Sequence, residues 1–502
     1  MGVVKNQSIK NSISFYIGMA IGAINTIIIY PNVFNDNPEH LGLIQILIAY
    51  ALVVSAFTTL GIPKTFVRFF PAITQKGQLY FLSFLIPLLG FLFAFTSYLL
   101  FKEDLFRILN VGELLKENFF YIILLVFFIG FFDVLTSISR SFLSATTPVF
   151  INEVFLKFYS MSVLIFHWLG YLDFNLFLKV YLFGYILKFF ILLFVLFLND
   201  RIILSLTFKD LKIKEMLRYG VYVLVGGISI ILVSRIDMMM LGSMLEDGTG
   251  EGLKQIAFYT IAFYIGNAIM VPAKAIASIS VPLIAKAWQE KDLDTIQDIY
   301  SKSSINQLII GGVFFLCIWL SIDEIFALLP ENFQSGKLVV LYIGFSQLIN
   351  MLSGLNAQII INSKYYKYDL FTSIFLVIVT IITNYILIPK FGINGAAMAT
   401  AISILLFNLI RLILIKVKMN MHPFSLKTFY TLLLLLVMYY PISLIPSSGH
   451  VFLNLIINSI VVLTIFIPSL MYFNLSDDIK NTRMKINSYV REIDKCIALL
   501  NS

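Results

Sequence analysis

Asn175-Leu-Phe-Leu-Lys-Val-Tyr-Leu-Phe-Gly-Tyr-Ile-Leu-Lys-Phe-Phe-Ile-Leu-Leu-Phe-Val-Leu-Phe-Leu198 decides what kind of molecule this is. Apart from Lys179 and Lys188 it carries no charge, over a length that meets the roughly 20 apolar residues a helix needs to cross a bilayer core. The rest of the chain repeats the pattern. Of its 502 residues 59% are hydrophobic and 13% charged, whereas soluble domains are about 45–50% apolar and about 25% charged. That much apolar surface cannot be hidden in a soluble core. Soluble enzymes, nucleic-acid binders and disordered chains are excluded.

The same ruler finds fourteen runs, at about 11–31, 40–62, 79–101, 119–140, 149–170, 175–198, 217–239, 255–277, 304–322, 338–361, 368–389, 394–416, 425–445 and 451–473. An all-α polytopic membrane protein is expected, with both ends on one side. The first run lacks a small-residue cleavage site and reads as a retained helix.

Lys and Arg fix the orientation. They crowd one alternate set of loops, from Lys5 and Lys10 through Lys64, Arg68 and Lys76 to the tail with Lys480, Arg483 and Lys485, while the other set holds Lys102, Arg107, Lys116, Lys254, Lys337 and Lys390. By the positive-inside rule both termini are cytoplasmic. The formal net charge of +8 therefore reports topology, not nucleic acid.

The long connection at about 199–216 falls between two sets of six spans and reads as a lobe boundary; a second lies at about 278–303. Weak self-similarity supports two halves. Arg140 to Pro148 leads to Glu153-Val-Phe155, and Asn356 to Lys364 leads to Asp369-Leu-Phe371, an offset of 216; Gly22-Ala-Ile24 and Gly226-Gly-Ile228 are 204 apart. Repeats of six spans lie parallel, about an axis along the membrane normal. The expected organisation is a first lobe over 1–200, a second over 201–420, two further spans over 421–473 and a cytoplasmic basic tail over 474–502.

Ionisable groups inside the spans are informative, since each costs at least about 2.5–3.5 kcal/mol to insert. Lys157 on the fifth span and Lys188 on the sixth lie roughly 12 and 15 Å from the cytoplasmic ends of their helices at 1.5 Å per residue. Asp133 and Arg140, seven apart, share a face of the fourth span. Glu153 and Lys157, four apart, are placed to pair. Counting these with Lys179 leaves cations in excess. Lys157, Lys188 and Arg140 either line a hydrated cavity or sit in internal ion pairs. Lys179 lies opposite Lys188 and snorkels or joins them. Arg235 on the seventh span is an anion contact or an interfacial anchor. The polar residues Asn25, Gln347, Asn350 and Asn356 line a path or bond neighbouring helices.

Nothing resembles an enzyme site. The four histidines are scattered, Cys317 and Cys496 suggest neither a disulfide nor a metal site, and no phosphate loop of the Walker type occurs. No cofactor and no metal are expected.

Three stretches resemble the polysaccharide-transporter branch, the oligosaccharide flippases, of the multidrug/oligosaccharidyl-lipid/polysaccharide exporter superfamily. They are Asn384-Tyr-Ile-Leu-Ile-Pro-Lys-Phe-Gly-Ile-Asn-Gly-Ala-Ala-Met-Ala-Thr400, Asp237-Met-Met-Met-Leu-Gly242 followed by Ala257-Phe-Tyr259, and Gly61-Ile-Pro-Lys-Thr-Phe-Val-Arg-Phe69. The resemblance implies a MATE-like fold: two pseudo-symmetric six-helix lobes around a cavity, two peripheral spans, and alternating access. It implies a cargo of oligosaccharide on polyprenyl pyrophosphate, moved to the outer leaflet of a bacterial cytoplasmic membrane for surface polysaccharide assembly. Expected partners are that lipid, membrane lipids and polysaccharide polymerase or assembly proteins, around a monomeric carrier. Peptidoglycan-precursor flippases of the superfamily use first-span arginines; this first span has none, which argues against lipid II.

A pyrophosphate leaving water needs cations, and Lys157, Lys188 and Arg140 are the candidates, with Lys179, and with Arg68 and Arg235 as entry and exit contacts. Gly22, Gly226 and Gly227 are candidate points of bending. The alternative is an H⁺- or Na⁺-coupled exporter of small amphiphilic or cationic compounds, with Asp133 and Glu153 as coupling carboxylates. A membrane glycosyltransferase or polymerase would need a larger outer catalytic loop than 102–118 or 240–254 provides.

Overall fold

The computed structural model describes residues 2–73, 76–142, 146–198, 213–443 and 451–473. The basic tail 474–502 with Cys496, and most of the 199–216 connection, lie outside the described residues. Among those described, regular structure is helical and no strand occurs.

Among the described residues, twelve helices are long and apolar enough to cross a membrane. They are α1 (Ile13–Val33), α2 (Pro38–Thr58), α3 (Lys76–Ile108), α4 (Phe120–Ser141), α5 (Thr146–Trp168), α6 (Phe174–Leu198), α7 (Ile213–Met244), α8 (Glu251–Lys274), α9 (Leu293–Leu320), α10 (Glu331–Leu352), the run Lys367–Met419, and a last one within Val451–Tyr472. Lys367–Met419 is broken at Gly392, whose φ of 55° and ψ of −132° are not helical, so it holds α11 (367–391) and α12 (393–419). The shorter α13 (Leu426–Ser443) precedes α14 (Val451–Tyr472). The chain is a multi-pass all-α membrane protein, and its described helices are approximately consistent with the fourteen spans expected.

By contact density the chain divides into two units. Unit 1 takes Met1–Ile261, Leu329–Gly336 and Ser373–Ala399; unit 2 takes Ala262–Leu328, Lys337–Thr372 and Thr400–Ser502. Contact density and internal symmetry are separate properties, and this division concerns the first.

In unit 1, α2 starts on Pro38 with Glu39 in its first turn. A missing N–H costs nothing there, and a carboxylate faces the positive end of the helix. Its Leu41, Leu43, Ile44, Ile46 and Leu47 are all buried, as befits a helix apolar on every side. Gly42 lets another backbone approach: a Cβ there would fall 1.9 Å from the Leu253 carbonyl oxygen. At its other end the chain turns through Leu60 and Gly61, both with positive φ, into the short helix Ile62–Phe69. Beyond it Phe66 and Phe70 pack with Tyr80, Phe131, Leu135 and Phe189 into an aromatic core.

Unit 2 is built around α9. Its Leu308 and Leu316 pack with Leu435 and Met438 of α13 and Val462 and Phe466 of α14. The last two spans are thereby docked on a buried helix.

Gly61 is required twice. Its φ of +70° disfavours any side chain, and a Cβ would lie 2.3 Å from the Gly220 carbonyl oxygen. Gly170 has a φ of +80° and nothing within 4 Å of a Cβ. Gly170→Ala is therefore expected to cost only the left-handed penalty, about 1–2 kcal/mol, and Gly61→Ala clearly more. Thermal melts of the two purified variants compare them; equal losses would show that the Gly61–Gly220 approach contributes nothing.

Candidate functional site

The expected intramembrane charges gather in unit 1, on α4, α5, α6 and α7, and polar Asn25 of α1 joins them; irregular turns of α1 and α5 lie beside them. In α1 residues Ile24–Ile29 form a π-helical turn, with the Tyr30 N–H donating to the Asn25 carbonyl five residues back. Pro31 supplies a cause, because its ring crowds the carbonyl four residues earlier and it has no N–H to give. In α5 residues Ile151–Phe155 do the same, the Leu156 N–H reaching the Ile151 carbonyl. Such turns widen a helix and recur at functional sites. The turn of α5 packs on the first helix ahead of that helix's own turn: a Cβ at Gly18 would lie 2.4 Å from the Glu153 carbonyl oxygen, so glycine alone allows the contact.

Across that contact Asn25, 3% exposed, donates to the Lys157 carbonyl at 3.1 Å and to Ser160 Oγ at 3.4 Å. On α5, Lys157 Nζ donates to Glu153 Oε2 at 3.0 Å. Asn152 Nδ2 donates to Glu153 Oε1 at 3.1 Å, while Asn152 Oδ1 accepts from Lys188 Nζ at 3.1 Å. The amide orientation is dictated by its neighbours, since an ammonium can only donate and a carboxylate only accept. Asn152 thus joins the two lysines of consecutive helices through one carboxylate. Nearby, Tyr30 and Tyr181 share a hydroxyl–hydroxyl bond of 2.7 Å.

Accessibility separates these groups. Lys188 is 4% exposed, its ammonium 4.4 Å from the Phe132 ring centre and 4.9 Å from that of Tyr185. It is sealed in, so contact with any cargo falls to others. Lys157 and Glu153 keep 35% and 23% of their side-chain surface. Asp133 is exposed on α4, seven residues from Arg140 on the same helix, and Arg235 on α7 is half-buried. Arg140 stands exposed in the last turn of α4, where the negative helix end favours a cation. Arg68, on the short helix Ile62–Phe69, stacks 4.1 Å above the Tyr219 ring. Lys179 is exposed on α6, nine residues from Lys188.

The polar stripe of the tenth span belongs to unit 2, where its groups bond helices. Gln347 Nε2 donates to Asn267 Oδ1 at 2.9 Å, Asn356 Nδ2 to Asn408 Oδ1 at 2.9 Å, and Asn408 Nδ2 to Asn350 Oδ1 at 3.2 Å. Arg411 on α12 is 5% exposed, bonded to Asp369 and Thr372, and 4.0 Å over the Phe407 ring.

Two of the quoted motifs meet in unit 1. Tyr259 Oη donates to Asp237 Oδ2 at 2.6 Å and Asn384 Nδ2 to Asp237 Oδ1 at 2.7 Å. That buried knot ties α7, α8 and α11. Sequence reading missed Asn152, Ser160, Tyr30, Tyr181 and Tyr185. Pro31 was the one available signal, marking where α1 departs from regular helix.

No protein-family model matches the sequence. No curated protein matches it either. Solved structures do match the fold. MurJ, a lipid II flippase, in an inward closed conformation, superposes with a TM-score of 0.73 at 16% identity, covering 93% of this chain and 99% of its own. An inward-facing multidrug resistance MATE family transporter of the MOP superfamily gives 0.62 at 16% identity over 82% of this chain and 98% of that one. A MOP superfamily transporter from Pyrococcus furiosus, described as having a binding pocket of reverse polarity, gives 0.55 at 16% over 83% and 96%. The fold of this chain is the one MurJ and the MATE transporters share.

The Lys188 ammonium depends on Asn152. Leaving a buried charge unpartnered costs about 3–5 kcal/mol, whereas replacing it by an apolar group of similar size is near neutral. Asn152→Leu is therefore expected to lower the melting temperature more than Lys188→Met. The reverse order in thermal melts would remove Asn152 as the group that holds the lysine.

Proposed function

We propose that the protein moves a polyprenyl-pyrophosphate-linked oligosaccharide from the cytoplasmic to the outer leaflet of a bacterial membrane by alternating access, and that it is a carrier, not an enzyme. The observation that carries this reading is the set of charges on α4, α5 and α7 of unit 1 that stay at least partly exposed: Lys157, Arg140 and Arg235 against Asp133 and Glu153. Lys188 balances the carboxylates from behind, so the accessible face is cationic. A pyrophosphate stripped of water requires such a face. Lys157 is best placed to change partners, because Glu153 holds it through a single bond at a half-open position.

The fold neighbours support the class of process. One of them is a flippase of a lipid-linked cargo and another a multidrug transporter. The lack of arginine in α1 keeps the glycan distinct from that of lipid II. An inside-negative potential favours outward movement of the anion by about 2.3 kcal/mol per charge per 100 mV. The carrier is read as a monomer with cytoplasmic termini, feeding polymerase and assembly proteins outside. Exposed Asp133 favours one second reading, an H⁺- or Na⁺-coupled exporter of small amphiphilic compounds.

Reconstitution with a labelled lipid-linked oligosaccharide tests the choice. Lys157→Gln and Arg140→Gln are expected to slow its translocation about tenfold each, the worth of one charge-assisted bond of about 1.5 kcal/mol, with Lys179→Gln near wild type. Transport of cationic dyes that is lost in Asp133→Asn, with no movement of the glycolipid, would select the exporter instead.

A further inference from the structure

Near its end α12 presents one face built from Ile410, Ile413, Leu414, Val417 and Lys418, positions three and four residues apart that share a side of a helix. With Tyr368 from the first turn of α11 they wall an apolar groove of about 280 Å³. All of these residues belong to unit 2. Arg411 turns the other way, onto Asp369 and Thr372 of α11. That bond ties the two helix ends together beside the groove, with Tyr368 next to Asp369 as its far wall. It also spends Asp369, the carboxylate nearest to that wall in sequence. Lys418 is exposed and lines the groove itself. Among the described residues it has no ion-pair partner, and neither do Lys364, Lys367 and Lys416 at the same helix ends.

We propose that this groove holds an anionic phospholipid, with an acyl chain along Ile410, Ile413, Leu414 and Val417 and the phosphate at Lys418. Ammonium and apolar walls line the same cavity, so head and tail contacts are continuous. Depth selects the occupant. The midpoint of α12 (393–419) falls at Leu406; at 1.5 Å per residue Ile410 stands roughly 6 Å and Lys418 roughly 18 Å beyond it. With that midpoint at the bilayer centre, Lys418 lies just outside the roughly 15 Å half-thickness of the hydrocarbon core, where lipid phosphates reside. From Ile410 to Lys418 the groove runs roughly 12 Å, close to the depth of one leaflet's acyl layer and short of a polyprenyl chain. Tyr368 at the rim is the type of side chain that settles at this interface. A basic pocket between helix ends is the form that sites for anionic headgroups take, and this end is the one that the sequence reads as cytoplasmic, facing an anionic leaflet. A zwitterionic lipid offers the four lysines no net charge. The inference is independent of the proposed cargo.

The test places the full chain in phosphatidylcholine nanodiscs containing a minor fraction of phosphatidylglycerol with a diazirine on one acyl chain, compared with phosphatidylcholine bearing the same tag. Photolabelling of the peptide holding Ile410 to Lys418 is expected to be about fivefold stronger with phosphatidylglycerol, the worth of one lysine at an anionic surface. Lys418→Gln should bring it down to the phosphatidylcholine level, and Lys390→Gln, on the other set of loops, should leave it unchanged. Ile413→Trp fills the groove while keeping the charge and should lower the labelling as far; Val417→Trp replaces it if that variant does not fold. Equal labelling by the two lipids, or labelling by phosphatidylglycerol that ignores Lys418→Gln, would overturn the site. Displacement of the label by geranylgeranyl pyrophosphate but not by untagged phosphatidylglycerol would give the groove to a prenyl lipid and overturn the phospholipid assignment.

Discussion

Inside a bilayer no water is at hand to complete a hydrogen bond, so every polar group must find its partner in the protein or in a hydrated space. Lys188 shows how far that constraint reaches. A buried ammonium on α6 needs an acceptor, Asn152 supplies it, and Asn152 is aimed by Glu153, which holds Lys157. The wide turn of α5 brings Asn152 and Glu153 to this position, and Gly18 of the first helix admits it.

The ionic groups of unit 2 obey the same rule with the opposite outcome. Arg411 is consumed: Asp369 and Thr372 take its donors and Phe407 covers its face. The asparagines at positions 350, 356 and 408 satisfy one another. A buried, paired guanidinium is weak evidence of stability and no evidence of a binding site. In unit 1 some of the charge is left over. Arg140, Arg235 and Lys157 keep access to open space while Lys188 does the neutralising from behind. Function is argued from the unspent charges, since spent ones have nothing to offer a cargo.

What was legible in the sequence was whatever depends on period and length. The spans follow from apolar runs, the Glu153–Lys157 pair from their spacing of four, and the break between α11 and α12 from Pro389 and Gly392. What depends on a partner helix was not. Asn152 is an ordinary polar residue until Lys188 stands opposite it. The stripe of Gln347, Asn350 and Asn356 fits a water path and a helix interface equally well by periodicity, and the positions of Asn267 and Asn408 resolve it. Lys64 counts as a loop cation because its chain position is near a span end, and Arg411 sits near the end of α12 in the same way. A lysine side chain reaches several ångströms beyond its Cα, and an arginine can fold inward onto a carboxylate, so position in sequence is a poor guide to where either charge lies.

The carboxylates beside the cations then need a reason of their own. A cluster of bare lysines and arginines would hold a pyrophosphate too well, and conduction through a site requires that the ligand can also leave. On the proposed function, Glu153, paired with Lys157, would compete with the cargo for that donor. The carboxylates also keep the empty carrier close to neutral, which lowers the cost of holding those cations at membrane depth when no anion is present. In this balance the cargo replaces an internal partner instead of filling a vacancy. On the proposed function, binding would then exchange one partner for another, and the potential acting on the anion's charge would set the direction of transport.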